Sequence, residues 1–237
     1  MTTSPGRIRL FQPVIEAVFR QSVSPDQIHL HLPDRFRGET EYEIPGWLQD
    51  EARIFLHRHT QDRGPAMKLL PTLDLEKAAD TIIITLDDDV RMPTDAIEVF
   101  AKAAEEHPDT AFCSRGFNFN RDSHHIEPVR GHHQQCDALQ GYSGCCYRRG
   151  HFDHQSLLSQ LNSIPAIFRF SDDILLSNHI AGRNVKRATV SFGSVSLEFM
   201  PWSDEDPDAL KFIEGSTHGR YQALREHLDE TDEWRLT

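Results

Sequence analysis

The spacing of apolar and polar residues predicts helices and strands that alternate along the chain. Ile28, Leu30 and Leu32 alternate with His29 and His31, which is the period of a strand with one buried face. Further strands are predicted at 53–57, 110–114 and 186–191, and helices at 10–18, 95–106, 154–162, 172–182 and 217–228. Residues 34–45 and 116–140 lack a clear period and are predicted to be irregular. These elements predict an α/β fold, a single domain with an open, mostly parallel central sheet flanked by helices.

One β-branched run ends in three carboxylates. Residues 82–85 predict a strand buried on both faces, and Asp87, Asp88 and Asp89 follow it after one leucine. Unpaired carboxylates are costly to bury and repel one another, so they need solvent, a basic partner or a divalent cation. Alternate residues point the same way, which turns Asp87 and Asp89 toward one cleft and Asp88 elsewhere. We expect a metal site that holds a phosphate-bearing substrate at this strand end; a solvated acidic turn is the alternative.

Composition narrows the classes of partner. The chain has 237 residues with 25 Lys and Arg against 37 Asp and Glu, a formal net charge of −12, which argues against a nucleic-acid backbone as the main partner. No apolar run approaches 18 residues, and the N-terminus lacks the apolar centre of a secretory signal. The four cysteines show no C-x-x-C spacing and are expected to be reduced thiols. These features predict a cytoplasmic protein.

Three other segments accompany the acidic one in a fixed order. They are 62–68, Asp-Arg-Gly-Pro-Ala-Met-Lys; 141–150, with Gly-Tyr-Ser-Gly and Tyr-Arg-Arg-Gly; and 171–173, Ser-Asp-Asp at the start of a predicted helix. In this order the four segments resemble nucleotide-sugar glycosyltransferases of the GT-A fold, a large, mostly inverting bacterial family with a D-x-D motif that builds surface glycans. The resemblance covers residues 2–225, and 226–237 are expected to form a frayed, acidic C-terminal tail.

The resemblance implies a donor site and a metal site. The metal, Mn²⁺ or Mg²⁺, would be held by Asp87, Asp89 and His218. The residues expected to border the nucleotide sugar are Thr3, Arg7, Asp62, Gly64, Lys68, Asp87, Asp88 and Gly144. Simpler interpretations stay open for three of these positions: an exposed helix lysine at 68, a tight turn at 141–144 and a surface histidine at 218. A second metal site at His124, His125, His132 and His133 competes with a solvated loop.

The resemblance also implies the catalytic groups. Asp173 would deprotonate the acceptor hydroxyl and Asp172 would orient the acceptor, so that a single displacement inverts the anomeric centre. The alternative is that both acids merely favour the first turn of a helix whose N-cap is Ser171. Arg220 is a further candidate for diphosphate contact, and Arg115 for positive charge in the cleft.

The start of the chain departs from the family pattern. A first strand precedes the Thr-Thr-Ser-Pro-Gly-Arg loop in the family, whereas here that loop begins at residue 2. Either the start codon is assigned too late or the domain lacks this strand. Without it, the backbone N–H and C=O groups of the neighbouring strand would be left unpaired.

The expected partners are a nucleotide-sugar donor and a glycan or other hydroxyl acceptor. The protein is expected to lie peripherally at the inner membrane face. Two rivals remain: a non-catalytic relative that binds nucleotide sugar or glycan, and a D-x-D phosphatase, whose motif fits poorly at Arg91.

Overall fold

The computed structural model describes residues 1–120, 126–193, 197–203, 213 and 217–236, except the side chain of His218. The helices are α1 (Gln12–Phe19), α2 (Gly46–Gln49), α3 (Leu70–Leu75), α4 (Ala96–Glu106), α5 (His154–Ser163), α6 (Asp172–Gly182) and α7 (Thr217–Glu230). The strands are β1 (Ile28–Pro33), β2 (Ile54–His59), β3 (Ile82–Thr85), β4 (Val90–Arg91), β5 (Thr110–Cys113), β6 (Gly116–Phe119), β7 (Ile126–Val129), β8 (Ala138–Leu139), β9 (Cys145–Arg148), β10 (Lys186–Thr189) and β11 (Glu198–Phe199). The fold is mixed α/β.

The central sheet is mixed rather than mostly parallel. Its order is β10-β5-β9-β3, in which β10 and β5 are parallel while β9 is antiparallel to both of its neighbours. Among the described residues between β5 and β9 there is no α-helix, and parallel neighbours are usually joined by a helical crossover. The prediction of a mostly parallel central sheet is therefore wrong, and β9 was not predicted as a strand.

Two apolar layers cover the central sheet, one on each face. On β5, Ala111 and Cys113 pack into one cluster and Phe112 into the other, because successive side chains of a strand point to opposite faces. Helix α4 buries Phe100 in the same cluster as Phe112, whereas α6 buries Ile174 in the cluster that holds Cys113. The predicted helices at 95–106, 154–162 and 172–182 are confirmed within one or two residues.

Strands β1 and β2 form a separate parallel pair. The expectation that β1 has one solvent-facing side is wrong, because His31 is completely buried. Both of its ring nitrogens have partners: Nδ1 lies 3.1 Å from His59 Nε2, and Nε2 lies 2.8 Å from the Thr72 hydroxyl. A buried imidazole is tolerated when its polar atoms are paired in this way.

A groove of about 500 Å³ separates β1 from β3. Met1 lies at one end of it: its amino group donates to the His29 carbonyl at 2.9 Å and its carbonyl accepts from the His31 amide at 3.0 Å, which are the two bonds of a parallel ladder. Burial, with the nearby charge of Lys68, lowers the pKa of the Met1 amino group to about 5. In the described part of the chain, β1 and β3 belong to different sheets and no strand joins them.

Residues 116–140 are more regular than predicted. Strands β7, β6 and β8 form an antiparallel sheet, in which Phe117 and Ala138 are paired and fully buried. Short strands joined by polar residues have too few apolar positions to show a period in the sequence. The sheet was therefore not predicted.

The C-terminal residues pack against the domain. Helix α7 continues through the predicted boundary at 226, and Leu228 and Leu236 are buried. Asn178 binds the backbone of the last turn, donating to the Glu233 carbonyl at 2.8 Å and accepting from the Arg235 amide at 2.6 Å. The prediction of a frayed tail is wrong, because its two leucines and these bonds hold it in place. No described helix has the length and apolar character needed to cross a membrane.

Candidate functional site

The three consecutive carboxylates lie between β3 and β4, and Asp88 among them is buried against the N-terminal loop. Its two oxygens accept hydrogen bonds from the Thr3 hydroxyl and, at 2.9 Å, from the Arg7 guanidinium. Burial raises the pKa of Asp88 to about 6, and the charge of Arg7 opposes this shift. Thr3 and Arg7 are thus brought together with the acidic cluster, and Asp88 anchors them there.

Asp89 shares the same arginine. Its carboxylate accepts from Arg7 at 2.8 Å, and its backbone carbonyl accepts from the Met200 amide at 2.8 Å, which holds β11 beside the cluster. Burial is the main cause that raises the pKa of Asp89, and the charge of Asp87 adds to it. Asp87 and Asp89 are therefore close enough for their negative charges to repel each other.

Lys68 joins the acidic cluster to the second acidic pair. Its ammonium lies 2.8 Å from Asp87 Oδ1 and 3.3 Å from Asp172 Oδ2, and the residue is only 5% exposed. Burial alone would lower the pKa of Lys68, but the charges of Asp172 and Asp87 outweigh it and hold the pKa well above its usual value. The interpretation of Lys68 as an exposed helix lysine is wrong.

Asp62 shapes the loop that leads to Lys68. Its carboxylate accepts from the Gly64 amide at 2.8 Å and from the Arg37 amide at 2.6 Å. Gly64 has a φ of +60°, a conformation that glycine adopts without strain, and Pro65 begins the 3₁₀ turn Gly64–Lys68. The 3₁₀ turn leads directly into α3.

A cavity of about 130 Å³ opens beside these groups. Its polar lining consists of Thr2, Thr3, Ser4, Arg7, Arg37, Asp62, Lys68, Asp87 and Asp88, and its aromatic walls are Phe36, Tyr42 and Phe170. Flat apolar walls beside cationic and hydroxyl groups suit a ligand that has both a ring and phosphates. The aromatic walls were not identified from the sequence, because they lie in segments without a periodic pattern.

Asp172 and Asp173 begin α6 on the other side of Lys68. Asp173 Oδ1 accepts from the Gly141 amide at 2.8 Å and Oδ2 accepts from the Tyr221 hydroxyl at 2.9 Å. Burial and the charge of Asp172 raise the pKa of Asp173 to about 7. The Ser171 side chain makes no capping bond, so the N-cap part of the alternative is wrong, while both acids do lie in the first turn of α6. The partners of Asp173 lie on other elements. Tyr221 was missed in the sequence analysis; it lies one turn from His218 on α7.

Gly141 and Gly144 have different surroundings. A Cβ atom at Gly141 would lie 2.6 Å from Lys68 Nζ and 2.8 Å from Asp173 Oδ1, so only glycine fits against the site there. A Cβ atom at Gly144 would instead meet Met92 Cε at 3.0 Å, and its φ is +78°. The structure thus places Gly144 against the core, and Gly141 is the glycine that borders the acids.

Arg220 lies next to Tyr221 on α7, and the histidine candidates either stack on each other or lie outside the described residues. Arg220 is buried and donates to the Ile213 carbonyl at 3.1 Å. The side chain of His218, and His124 and His125 entirely, lie outside the described residues. His132 and His133 stack on each other at 4.0 Å. In the described part of the chain, no group of three or more His, Cys, Asp or Glu side chains is arranged to hold a metal ion.

Comparisons with known proteins give limited similarity. No family model and no curated protein matches the chain. Among solved structures, it is similar to the mannosyltransferase PcManGT from Pyrobaculum calidifontis in complex with GDP-Man and Mn²⁺, with 15% identity and a TM-score of 0.47. The alignment covers 80% of this chain and 52% of that one, so the chain spans about half the length of its structural relative. Similarity at this level does not establish a family for the chain.

Proposed function

We propose that the protein is a glycosyltransferase that moves a sugar from a nucleotide-sugar donor to a hydroxyl acceptor, with inversion. The observation that carries this proposal is the position of Lys68. It contacts Asp87 of the acidic cluster and Asp172 of the second acidic pair, so two segments 85 residues apart in sequence share one buried cation. A donor site and a base are thereby adjacent, which a single displacement requires.

The donor would occupy the cavity between Asp62 and Asp87. Its base and ribose would lie against the aromatic walls, and its diphosphate would lie toward Lys68 and Arg7. Because both cations are already paired with carboxylates, the site has little net positive charge for a diphosphate. A further cation is therefore part of the proposal.

The carboxylate ligands that the site offers fit Mn²⁺ or Mg²⁺. Asp87 and Asp89 offer hard carboxylate oxygens and repel each other, and a divalent cation relieves that repulsion. Asp87 and Asp89 would hold the cation, with His218 as a further proposed ligand. When bound, it would offset the negative charge that develops on the departing diphosphate.

Asp173 is proposed as the base. Its carboxylate takes the proton of the acceptor hydroxyl as the oxygen bonds to the anomeric carbon, and the bond from that carbon to the diphosphate breaks with its electron pair on the leaving group. A pKa raised to about 7 leaves a carboxylate strong enough to accept this proton and still ionised near neutral pH. Gly141 and Tyr221 hold its two oxygens in place.

A donor screen tests the proposal. The purified chain is incubated with Mn²⁺ and a panel of nucleotide sugars, and both the release of nucleoside diphosphate and the shift in melting temperature are measured. We expect at least one donor to raise the melting temperature only when the metal is present, since a ligand that binds the folded state stabilises it. If no donor is cleaved or bound, the glycosyltransferase proposal fails.

Asp89→Ala and a matched surface variant make the screen specific. We expect Asp89→Ala to abolish metal-dependent donor binding. Asp74→Ala removes one carboxylate from the surface, where that side chain is 69% exposed, and should leave donor binding unchanged. Equal losses in the two variants would show that net charge, rather than the site, controls binding.

A further inference from the structure

An arginine and two aromatic rings form a shelf beside the catalytic acids. The Arg115 guanidinium lies 5.9 Å from the Tyr142 ring centre and 5.8 Å from the Phe199 ring centre, and the two rings lie 5.9 Å apart. We call these three residues the aromatic shelf. Phe199 is 45% exposed, which leaves part of its ring open to a ligand.

The shelf lies between the two acidic segments. Tyr142 follows Gly141, whose amide binds Asp173, and Phe199 precedes Met200, whose amide binds the Asp89 carbonyl. The backbone of Arg115 is fixed to the same turn, because its amide donates to the Ser143 hydroxyl at 3.1 Å. A molecule whose hydroxyl reaches Asp173 would therefore extend over the shelf.

Arg115 differs from the other cations of the site in its partners. Arg7 and Lys68 each contact carboxylates, whereas the polar side-chain contact of Arg115 among described residues is the neutral Tyr142 hydroxyl at 3.4 Å. A guanidinium that packs on aromatic faces keeps its donors for a planar anion. The surrounding carboxylates repel anions, so an anionic ligand would need such a cation.

We propose that the aromatic shelf is the acceptor subsite and that the acceptor carries a carboxylate or a phosphate group, which Arg115 binds. This inference rests on the proposed function. Phe199 and Tyr142 stack on the apolar face of the acceptor sugar while Arg115 fixes its anionic group. The acceptor hydroxyl then lies toward Asp173.

Direct binding tests the subsite without turnover. Three probes that differ only at C6 are titrated calorimetrically into the full chain: 4-nitrophenyl β-glucoside, the corresponding glucuronide and the glucoside 6-phosphate. We expect at least one anionic probe to bind about tenfold or more tightly than the neutral one, and the preferred probe distinguishes carboxylate from phosphate. Because no donor is present, this result is independent of whether the chain transfers sugar.

Charge-matched variants assign the preference to Arg115. Arg115→Gln should remove the preference for the anionic probe, and Arg115→Lys should restore part of it. Arg130→Gln removes one positive charge from an exposed position and should leave the preference intact. The proposal is overturned if the neutral probe binds as tightly as the anionic ones, if none binds, or if Arg115→Gln, with an unchanged melting temperature, keeps the preference.

Discussion

At the scale of single residues, Lys68 shows how one buried cation decides the electrostatics of a site. The buried Lys68 ammonium, the buried Asp172 and the half-buried Asp87 are stable together because each charge has a partner within 3.3 Å. Removing one member of a buried ionic group leaves an uncompensated charge, which is far more costly than the loss of a surface pair.

We therefore expect Lys68→Met to destabilise the protein strongly. The loss in the free energy of unfolding should be about 3–5 kcal/mol, because Asp87 and Asp172 would lose their common partner. Lys77→Met removes an exposed lysine that contacts Asp74 at 3.4 Å and should change this free energy by less than about 0.5 kcal/mol. Urea unfolding of both variants measures the difference; similar values would contradict the buried role of Lys68.

The pH dependence of sugar transfer should follow the ionisation of the Asp173 carboxyl group. As a base it acts when ionised, so kcat/KM should rise with pH through an apparent pKa of about 7. The Tyr221 hydroxyl donates to the charged form and lowers this pKa, so Tyr221→Phe should shift the rise to higher pH. A pH profile of kcat/KM for both proteins measures the shift, and a profile that does not move would show that Tyr221 does not act on the base.

At the scale of elements, the sequence predicted the parts whose pattern is continuous. Helices α4, α5 and α6 and strand β3 each have an uninterrupted apolar period or run, and all four were found. Strand β9 was missed because Cys-Cys-Tyr-Arg contains no β-branched residue, although it lies in the middle of the sheet. Sheet direction also depends on how strands meet in space, which a period along the chain does not record.

The candidate site was predictable to a similar extent. The acids and Lys68 could be named because they occur in ordered motifs. The contacts of Lys68 with Asp172 and of Tyr221 with Asp173 join residues 104 and 48 positions apart, and only the folded chain brings them together. Gly144 shows the converse, since its sequence context suggested a ligand contact and the fold places it against Met92.

The histidines of β1 and β2 should make the fold sensitive to acid. Burial lowers the pKa of His31 to about 2 and also lowers those of His29, His57 and His59. Below pH 6.5 the unfolded chain binds protons that the folded chain does not, so stability is present above that pH and is lost as pH falls. For His31, the most buried of the four, this loss is about 1.4 kcal/mol per pH unit between pH 6.5 and its pKa in the folded chain.

His31→Gln should reduce this sensitivity. The variant is expected to lose less stability between pH 6.5 and pH 4.5 than the natural chain, even if it is less stable at pH 8. His132→Gln, at an exposed position, serves as the control and should leave the dependence unchanged. Denaturant unfolding at a series of pH values gives the comparison, and identical slopes for His31→Gln and the natural chain would contradict the buried position of His31.

The open edge of β3 should be visible in hydrogen exchange. An edge strand directs alternate amides to its neighbour and the others outward. Along Ile82–Thr85 we expect the outward amides to exchange about tenfold or more faster than those bonded to β9. Phe112 and Cys113 of β5, which has a strand on each side, are the internal control, and uniform protection along β3 would mean that its edge is covered.

At the scale of the whole molecule, a chain of net charge −12 brings several buried or half-buried charges together around Lys68. The acidic cluster, the loop that begins with Asp62, the turn at Gly141 and the first turn of α6 converge around Lys68. The proposal is that the donor, the base and the acceptor meet there. It assigns donor binding and sugar transfer to two different acids. In this proposal Asp89 serves donor binding and Asp173 serves transfer.

The most direct test of this central claim is to measure donor binding and sugar transfer in the same Asp173→Asn sample. The account predicts that metal-dependent donor binding stays within about twofold of the natural chain while transfer to an acceptor, followed by mass spectrometry of the product, falls by at least a hundredfold. Transfer that survives Asp173→Asn, or donor binding that disappears with it, would contradict the assignment of binding and catalysis to separate acids.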